Sequence, residues 1–468
     1  MFPKTNLHMT NLQDYTLFPK DVFLSNRYLK FLETELGKVY QSIPFTELAG
    51  LLPQKTSNVG APLTFSYEGF FGLMFLKAYL GLSDDKLIDR INTDWALQYF
   101  CGIQLSENQE IKDSGMPSRI RMFLAEHLDI EQFQQVLIDD WKPDMEGLGV
   151  MLNDATAFES YIKFPTDVKL LWDCVHWVYT VMHKLCKELK TKRPRSKFNE
   201  QIIKQLGYQK CRKKTHKMTQ RRKKSLLYLL NKGLGQLKEV QALARERELC
   251  LGERQAIRLI YIKEVYRQQK YMYDNNTNRV ANRIVSLFKH YIRPIKRGKE
   301  NKPVEFGAKV AMSQVDGIDL IDRLSFDAFN EACELKGSIT KHRSRFGGCR
   351  QVGIDAIYGT NENRKWMKGE DIYHSCVRKG RASAYEEQEK ILRKELGKER
   401  ATVLEGSFGN MKNHYGLQKI KARTEATEVA WIFFGIMCAN AVRIAKKRFK
   451  KEQKKIKEPS SQILIPFG

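Results

Sequence analysis

The stretch Gly147–Ser160, GLGVMLNDATAFES, decides the fold class predicted for this chain. Its apolar first half runs directly into Asn153-Asp154-Ala155-Thr156, which is the pattern of a buried strand with polar residues at its end. The segment Asp173–Lys302 then has a helical character, and strands return at Pro303. We therefore expect an α+β protein whose mixed sheet is built from two separated parts of the chain.

The second part of the sheet begins with a hairpin. Asp316-Gly317 lies between two apolar runs, and this dipeptide favours a tight turn between antiparallel strands. A short strand is expected within Gln351–Gly359, and it ends at Asp355. Helices are expected at Asp327–Leu335, 383–399, Glu405–Leu417 and Ala426–Lys447.

The sequence of the first part of the chain predicts short helices. The segment from Thr64 to Leu105 is apolar at helical spacing, and Ser83 can cap a helix that begins with Asp84. Helix, short turn and helix in succession resemble a helix-turn-helix, although many helical bundles share this pattern.

Positive charge is concentrated in one region. The whole chain of 468 residues has a net charge of +26, and residues 181–300 alone hold 33 basic and 9 acidic residues. The simplest interpretation of such a block is that it binds nucleic acid phosphates. A charged helix face that is exposed only to solvent would have the same composition. The candidate contacts are Lys213, Lys214, Arg221, Arg222, Lys223 and Lys224.

Composition excludes several other classes of protein. Nine cysteines without a C-x-x-C pair argue against a disulfide framework and a zinc knuckle. The longest apolar run, Val429–Ala439, is shorter than the roughly 20 residues that span a bilayer, and no secretory signal is visible. The sequence predicts an intracellular protein without a membrane partner.

Three acidic residues form the candidate catalytic site. Asp154 and Asp355 are expected at the ends of two strands, and Glu405 opens a later helix. Carboxylates delivered in this way can hold two Mg²⁺ ions, for which Mn²⁺ can substitute, about 3.5–4 Å apart for in-line phosphoryl transfer. By spacing alone, Asp316, Asp319 or Asp322 could replace Asp355. Asp316 is expected at the hairpin turn, and the other two on an edge or solvent-facing strand.

The sequence resembles bacterial insertion-sequence transposases of the Asp-Asp-Glu type, in the broad grouping of insertion sequences four and five. Each of five ordered segments matches part of the family pattern, and the three acids lie in three of them. The segments are Leu82–Ile103, Asn153–Leu171, Val304–Gly317, Asp355–Arg364 and Glu405–Leu417.

The resemblance implies a ribonuclease-H-like core, with Asp154 on the first strand, Asp355 at the end of the fourth and Glu405 on a later helix. Lys412, on the same face of that helix as Glu405, would bind a DNA phosphate, and Tyr358 would contact a base or phosphate or pack in the core. The implied parts are an N-terminal helical DNA-binding or dimerisation domain (1–145), the core (146–172 and 303–447), a basic helical insertion (173–302) and a basic tail (448–468).

One position departs from the family pattern. The family often carries an arginine four residues before the glutamate, where this sequence has Ala401, and Arg400 lies one residue earlier. One residue corresponds to about 100° of rotation on an α-helix. The sequence leaves two alternatives, a local bulge in the helix or a different residue in place of the arginine.

The function implied is that of a DNA transposase in the bacterial cytoplasm, associated with the nucleoid. It would bind the terminal inverted repeats of its element. A homodimer is expected, because two ends must be brought together. Mg²⁺ held by the three acids would support strand cleavage and transfer to target DNA. Two rivals stay open: a nuclease with the same core, and a non-catalytic DNA-binding protein derived from a transposase.

Overall fold

The computed structural model describes residues 20–53, 63–106, 108–296, 304–382 and 384–457. They fold into two compact units. Unit 1 contains the described residues up to Ser160, Lys309–Ser325 and the described residues from Phe329 onward. Unit 2 contains Tyr161–Ala308 and Phe326–Ala328.

Unit 1 begins with a group of helices. Ser83 accepts a hydrogen bond from the Lys86 amide at 3.3 Å, so the predicted cap is present. Gly69 and Gly72 let this group pack closely, because a Cβ at either position would lie 2.6 Å from a backbone oxygen of Phe100 or Cys101. The helices are α1 (Lys20–Glu33), α2 (Glu35–Tyr40), α3 (Phe45–Gly50), α4 (Tyr67–Leu80), α5 (Asp84–Thr93), α6 (Trp95–Phe100), α7 (Met116–His127) and α8 (Ile130–Trp141).

These helices pack around a long helix from the other end of the chain, α17 (Glu425–Lys457). Ser42 donates a hydrogen bond to the Ala441 carbonyl at 2.9 Å. On another face of α17, the Asn440 side chain bonds both backbone groups of Asp319. The N-terminal helices therefore share one compact unit with the sheet, whereas the sequence suggested a separate domain over 1–145, part of which lies outside the described residues.

Helix α17 is longer than expected, and it includes the first residues assigned to a basic tail. Arg448 stays helical because its guanidinium donates to Asp140 at 2.9 Å and to Asp144 at 2.7 Å. The tail beyond Lys457 lies outside the described residues. Within the described chain, α17 is the one helix long and apolar enough to cross a membrane, but 78% of its apolar window is buried inside the protein. A buried core helix passes the same test, so this is weak evidence for a membrane span.

The sheet of unit 1 is mixed. Its strands are β1 (Val150–Ser160), the Lys309–Val315 part of β3 (Val304–Val315), β4 (Ile318–Ser325), β5 (Gln351–Gly353), β6 (Tyr373–His374) and β7 (Lys419–Ile420). The spatial order is β3-β1-β5-β6, with β4 beside β3 and β7 beside β1. β1, β5 and β6 are parallel, and β3 and β4 are antiparallel.

β1 is longer than predicted. Its first residues pair with β5 and its last two, Glu159 and Ser160, pair with β7. Asp154 therefore lies within the strand, two residues beyond the last pairing with β5 at Leu152. The predicted strand end was wrong, because β1 continues to Ser160 between neighbours from distant parts of the chain, with β3 beside it and β7 paired to its last two residues.

The predicted hairpin is confirmed. Asp316 and Gly317 have φ values of 50° and 80°, as a two-residue turn with both central residues left-handed requires. The expected exposure of the second strand is wrong, because Asp319 is 0% and Asp322 is 8% exposed. Both carboxylates have protein partners, and β4 is covered by α13 and α17.

The remaining elements of unit 1 complete the surroundings of the sheet. Short 3₁₀ turns lie at Lys142–Asp144 and Ala356–Tyr358, and a π-helical turn lies at Arg400–Leu404. The helices are α13 (Glu331–Phe346), α14 (Asn361–Gly369), α15 (Glu386–Glu399) and α16 (Glu405–His414).

Unit 2 is mostly helical, as the sequence predicted for this region. It contains α9 (Asp167–Glu188), α10 (Phe198–Lys210), α11 (His216–Arg245), α12 (Glu253–Asp274) and β2 (Pro294–Lys296), which pairs with the first residues of β3. A core of its own includes Leu171, Tyr179, Leu226 and Ile262. The unit begins at Tyr161, earlier than the boundary at residue 173, and the other predicted boundary, at residue 302, lies outside the described residues.

Candidate active site

Asp154 lies on β1, which runs between β3 and β5 in the sheet of unit 1. Its side chain is 16% exposed, and one carboxylate oxygen accepts a hydrogen bond from the Ala155 amide at 2.7 Å. Burial raises the pKa of the Asp154 carboxyl, and the negative charges of Glu331 and Asp355 raise it further. The hydrogen bond from the Ala155 amide and the positive charge of Arg400 oppose this upward shift. Asp154 therefore lies in a partly buried environment with other acidic side chains nearby.

Asp355 lies two residues after β5, the parallel neighbour of β1. Its side chain caps the 3₁₀ turn Ala356–Tyr358 by accepting a hydrogen bond from the Ala356 amide at 2.7 Å, and it is 52% exposed. The turn leads the chain away from the sheet edge. Gly353, at the end of β5, leaves room for α15, because a Cβ there would lie 3.1 Å from the Leu396 carbonyl oxygen.

Glu405 is delivered by a helix with one irregular turn. α15 continues into the π-helical turn Arg400–Leu404, and the Glu405 amide donates to the Arg400 carbonyl five residues earlier. A π turn contains one residue more than an α turn, so it places residues five apart on one face. Arg400 and Glu405 therefore face the same way.

The Arg400 guanidinium brings the three acids together. It lies 2.8 Å from Asp154 Oδ2, 3.2 Å from Glu405 Oε1 and 3.8 Å from Asp355 Oδ1. Of the two alternatives that the sequence left open, the structure has the local bulge. Arg400 is thus a residue of the site that helical periodicity alone could not assign.

The donor set is suitable for a hard divalent cation, since carboxylate oxygens are the ligands that Mg²⁺ prefers. Among the residues that the structure describes, however, no three His, Cys, Asp or Glu side chains are arranged to hold a metal ion directly. At this site, the Arg400 guanidinium lies within 4 Å of all three carboxylates.

Lys412 lies beside Thr156 of β1. Its ammonium group donates to Thr156 Oγ1 at 2.9 Å and lies 5.7 Å from the centre of the Phe158 ring. Thr156 is two residues after Asp154, and residues two apart on a strand face the same side of a sheet. The structure therefore brings Lys412 to the face of β1 that carries Asp154.

Glu331 is a further acid near the site, and the sequence analysis missed it. It opens α13, forms an ion pair with Lys309 at 2.7 Å, and raises the pKa of the Asp154 carboxyl. In the sequence it is an ordinary acid in the first turn of a helix capped by Asn330. Its proximity to Asp154 arises only from tertiary packing.

Tyr358 is not available to DNA. Its side chain is 0% exposed and belongs to a core cluster with Met151, Ile339 and Val352. Burial raises the pKa of its hydroxyl well above the usual range. Of the two roles that the sequence left open for this residue, the structure has the core role.

The basic candidates of unit 2 separate into two groups. Lys213, Lys214, Arg221 and Lys224 are exposed, whereas Arg222 and Lys223 are 7% and 5% exposed. Arg222 donates to Gln201 and Gln205, and Lys223 forms an ion pair with Asp167 at 2.8 Å. The prediction of DNA contacts is wrong for Arg222 and Lys223, because both lie on the face of α11 that packs inside unit 2.

These two groups give matched variants for a binding test. Arg221→Ala or Lys224→Ala is expected to weaken binding to duplex DNA and to reduce the slope of log affinity against log salt by about one. Lys223→Ala is expected to leave that slope unchanged and to lower the free energy of unfolding by about 1–3 kcal/mol, because a buried hydrogen bond to a charged group is lost. Fluorescence anisotropy at several salt concentrations and urea unfolding measure the two quantities, and equal salt slopes for Lys223→Ala and Arg221→Ala would contradict this division.

Asp322 gives a prediction of pH dependence. It accepts hydrogen bonds from Ser313 at 3.1 Å and Arg345 at 3.3 Å, but burial dominates and raises its pKa to about 6. The folded chain then binds this proton more tightly than the unfolded chain, so the contribution of Asp322 to stability falls as pH rises from about 4 to about 6. Urea unfolding of the wild type and Asp322→Asn at pH 4, 5, 6 and 7 should show the wild type losing stability relative to the variant over this range. A constant difference would contradict the prediction.

The comparisons with known proteins point to one class. Residues 26–122 match the family described as "Transposase domain (DUF772)", a segment that covers most of the N-terminal helices of unit 1. The match supports a transposase family for this chain. It ends before Asp154, so it does not include the three acids. Searches among curated proteins and solved structures returned no match.

Proposed function

We propose that this protein is a DNA transposase of the Asp-Asp-Glu type that cuts the ends of its element and joins them to target DNA. The observation that carries the proposal is the convergence of Asp154, Asp355 and Glu405 on one guanidinium. These acids come from β1, from the turn after its parallel neighbour β5, and from one helix, which are distant in sequence. The match of residues 26–122 to a transposase domain supports a DNA-processing enzyme independently of the acids.

The order of the strands supports a ribonuclease-H-like core within this proposal. When β2 of unit 2 is left out, β1, β3, β4 and β5 are the first four strands of the sheet, and Asp355 follows the fourth. Asp154 lies on the first strand, and Glu405 on a later helix. This is the distribution of acids that the resemblance to the family implies.

Asp154, Asp355 and Glu405 would hold Mg²⁺, and Mn²⁺ would substitute because it accepts the same oxygen ligands. Two such ions supply Lewis acidity, which activates a water or a 3′-hydroxyl and stabilises the leaving oxygen. Because a 3′-hydroxyl and water are both oxygen nucleophiles, one site can support both cleavage and joining.

The chain's own cations would position the DNA. Lys412 is held beside the face of β1 that carries Asp154, where its ammonium group would bind a phosphate next to the scissile bond. The exposed residues Lys213, Lys214, Arg221 and Lys224 would bind other phosphates of the DNA. We propose the terminal inverted repeats and target DNA as partners, a homodimer that joins two ends, and a location in the bacterial cytoplasm at the nucleoid.

The test uses the full chain, a labelled duplex that carries the candidate element end, a target plasmid, and Mg²⁺ or Mn²⁺. We expect metal-dependent cleavage at the end and joined products in the plasmid, both abolished by a chelator. Cleavage without joining would replace the proposal with a nuclease. Binding without metal-dependent chemistry would replace it with a DNA-binding protein derived from a transposase.

A further inference from the structure

Arg400 lies in an unusual charge environment. One guanidinium faces three carboxylates within 4 Å and is itself only 15% exposed. Asp355 and Glu405 are about half exposed and could point into water, yet both lie against this group. Without a cation among them, the three acids would repel one another.

The same oxygens are the ones that a divalent cation would require. Arg400 contacts Asp154 Oδ2, Asp355 Oδ1 and Glu405 Oε1, one oxygen of each acid. Mg²⁺ binds oxygen ligands at about 2.0–2.1 Å, so it needs the carboxylates closer together than the width of a guanidinium allows. A guanidinium and a metal ion at this position would also repel each other.

The π-helical turn shows that this position is built into the chain. On a regular α-helix, residues five apart point in directions that differ by about 140°. The extra residue of the turn Arg400–Leu404 brings Arg400 onto the face of Glu405. Thr402, on the same turn, donates a side-chain hydrogen bond to the Lys398 carbonyl at 2.8 Å, which supplies a local partner for the irregular backbone.

We propose that Arg400 is a built-in counter-ion that competes with divalent metal for Asp154, Asp355 and Glu405. In the metal-free protein it holds the acids together, and metal enters only when the guanidinium withdraws. Arg400 is a positioning residue in the metal-free protein, and it lowers the affinity of the site for metal. This inference rests on the proposed function, because it takes the three acids to be the metal ligands.

Direct metal binding tests the competition without any DNA reaction. Mn²⁺ is titrated into the full chain without DNA and followed by electron paramagnetic resonance of the free ion. Arg400→Gln removes the charge but keeps a polar side chain, and we expect its Kd for Mn²⁺ to be at least about tenfold lower than that of the wild type. Adding Glu405→Gln to Arg400→Gln should reverse the gain, because a ligand is removed.

A second variant tests the role of the guanidinium while a positive charge is kept. Arg400→Lys keeps a positive charge but cannot bridge three carboxylates with one planar group, so we expect a Kd between those of the wild type and Arg400→Gln. Thermal unfolding in the absence of metal checks that each variant is folded.

The outcomes separate this inference from the proposed function. Equal Mn²⁺ affinity in the wild type, Arg400→Lys and Arg400→Gln would overturn the competition and leave the metal site in place. Weaker binding by both Arg400 variants would show that the guanidinium assists the metal, and would also overturn it. Absence of Mn²⁺ binding in all three proteins would overturn both the metal site and the competition.

Discussion

Replacing Asp154 with Asn is expected to reduce DNA end cleavage by at least about a thousandfold. A metal ion supplies several kcal/mol of charge stabilisation in such a reaction, and each 1.36 kcal/mol corresponds to about tenfold in rate. Asn keeps the size of the side chain but removes the negative charge. Asp355→Asn and Glu405→Gln should give losses of the same order, because in the proposed function the three acids hold the same ions and residues that act as a unit have non-additive effects.

The measurement is single-turnover cleavage of the labelled end duplex, with DNA affinity determined in parallel. Affinity should stay within a few-fold of the wild type in all three variants. Glu399→Gln is the matched control, because Glu399 is an exposed carboxylate next to Arg400 in sequence. Cleavage by Asp154→Asn at the rate of this control would show that Asp154 has a structural role only.

The second large effect concerns stability and lies at Asp319. This fully buried carboxylate receives hydrogen bonds from Gln314 at 2.8 Å, from Arg443 at 2.6 Å and from Ser407. Asp319→Ala leaves the Arg443 guanidinium without its carboxylate, and breaking such a pair costs about 3–5 kcal/mol. We expect a loss of that size in the free energy of unfolding, measured by urea denaturation.

The loss of stability at Asp319 should also disturb the candidate active site. Ser407 is two residues from Glu405 on α16, and Arg443 bonds both Ser407 and Asp319. Asp89→Ala, on an exposed face of α5, is the control and should change stability little. A loss at Asp319 no larger than that of the control would mean that β4, α16 and α17 do not depend on this pair.

Local sequence patterns predicted the parts of the fold that depend on local chemistry. Asp316-Gly317 specifies its turn because both residues tolerate positive φ. Ser83 specifies the start of a helix because its hydroxyl accepts a hydrogen bond from a first-turn amide that has no partner within the helix. The three acids could be selected because each belongs to a recognisable ordered segment. Their convergence, by contrast, comes from strand pairing and from the packing of α15 on β5.

Three features could not be predicted, for physical reasons. The position of Arg400 depends on a π turn, and counting residues assumes α geometry. Arg222 and Lys223 are buried against partners on other helices, namely Gln201, Gln205 and Asp167. The sequence of a basic run alone therefore does not show whether a given side chain faces water or protein. The burial of Asp319 depends on Arg443, which lies more than one hundred residues later in the chain.

The late position of α17 has a consequence for synthesis. During translation, the N-terminal helices and β4 emerge well before Asn440, Ala441 and Arg443, the residues against which they pack. Until those residues leave the ribosome, the apolar faces of α4 and α7 and the carboxylate of Asp319 lack their native partners. Unit 1 can therefore complete its fold only after α17 has been synthesised, and a chain that stops before α17 would leave the three acids without a stable framework.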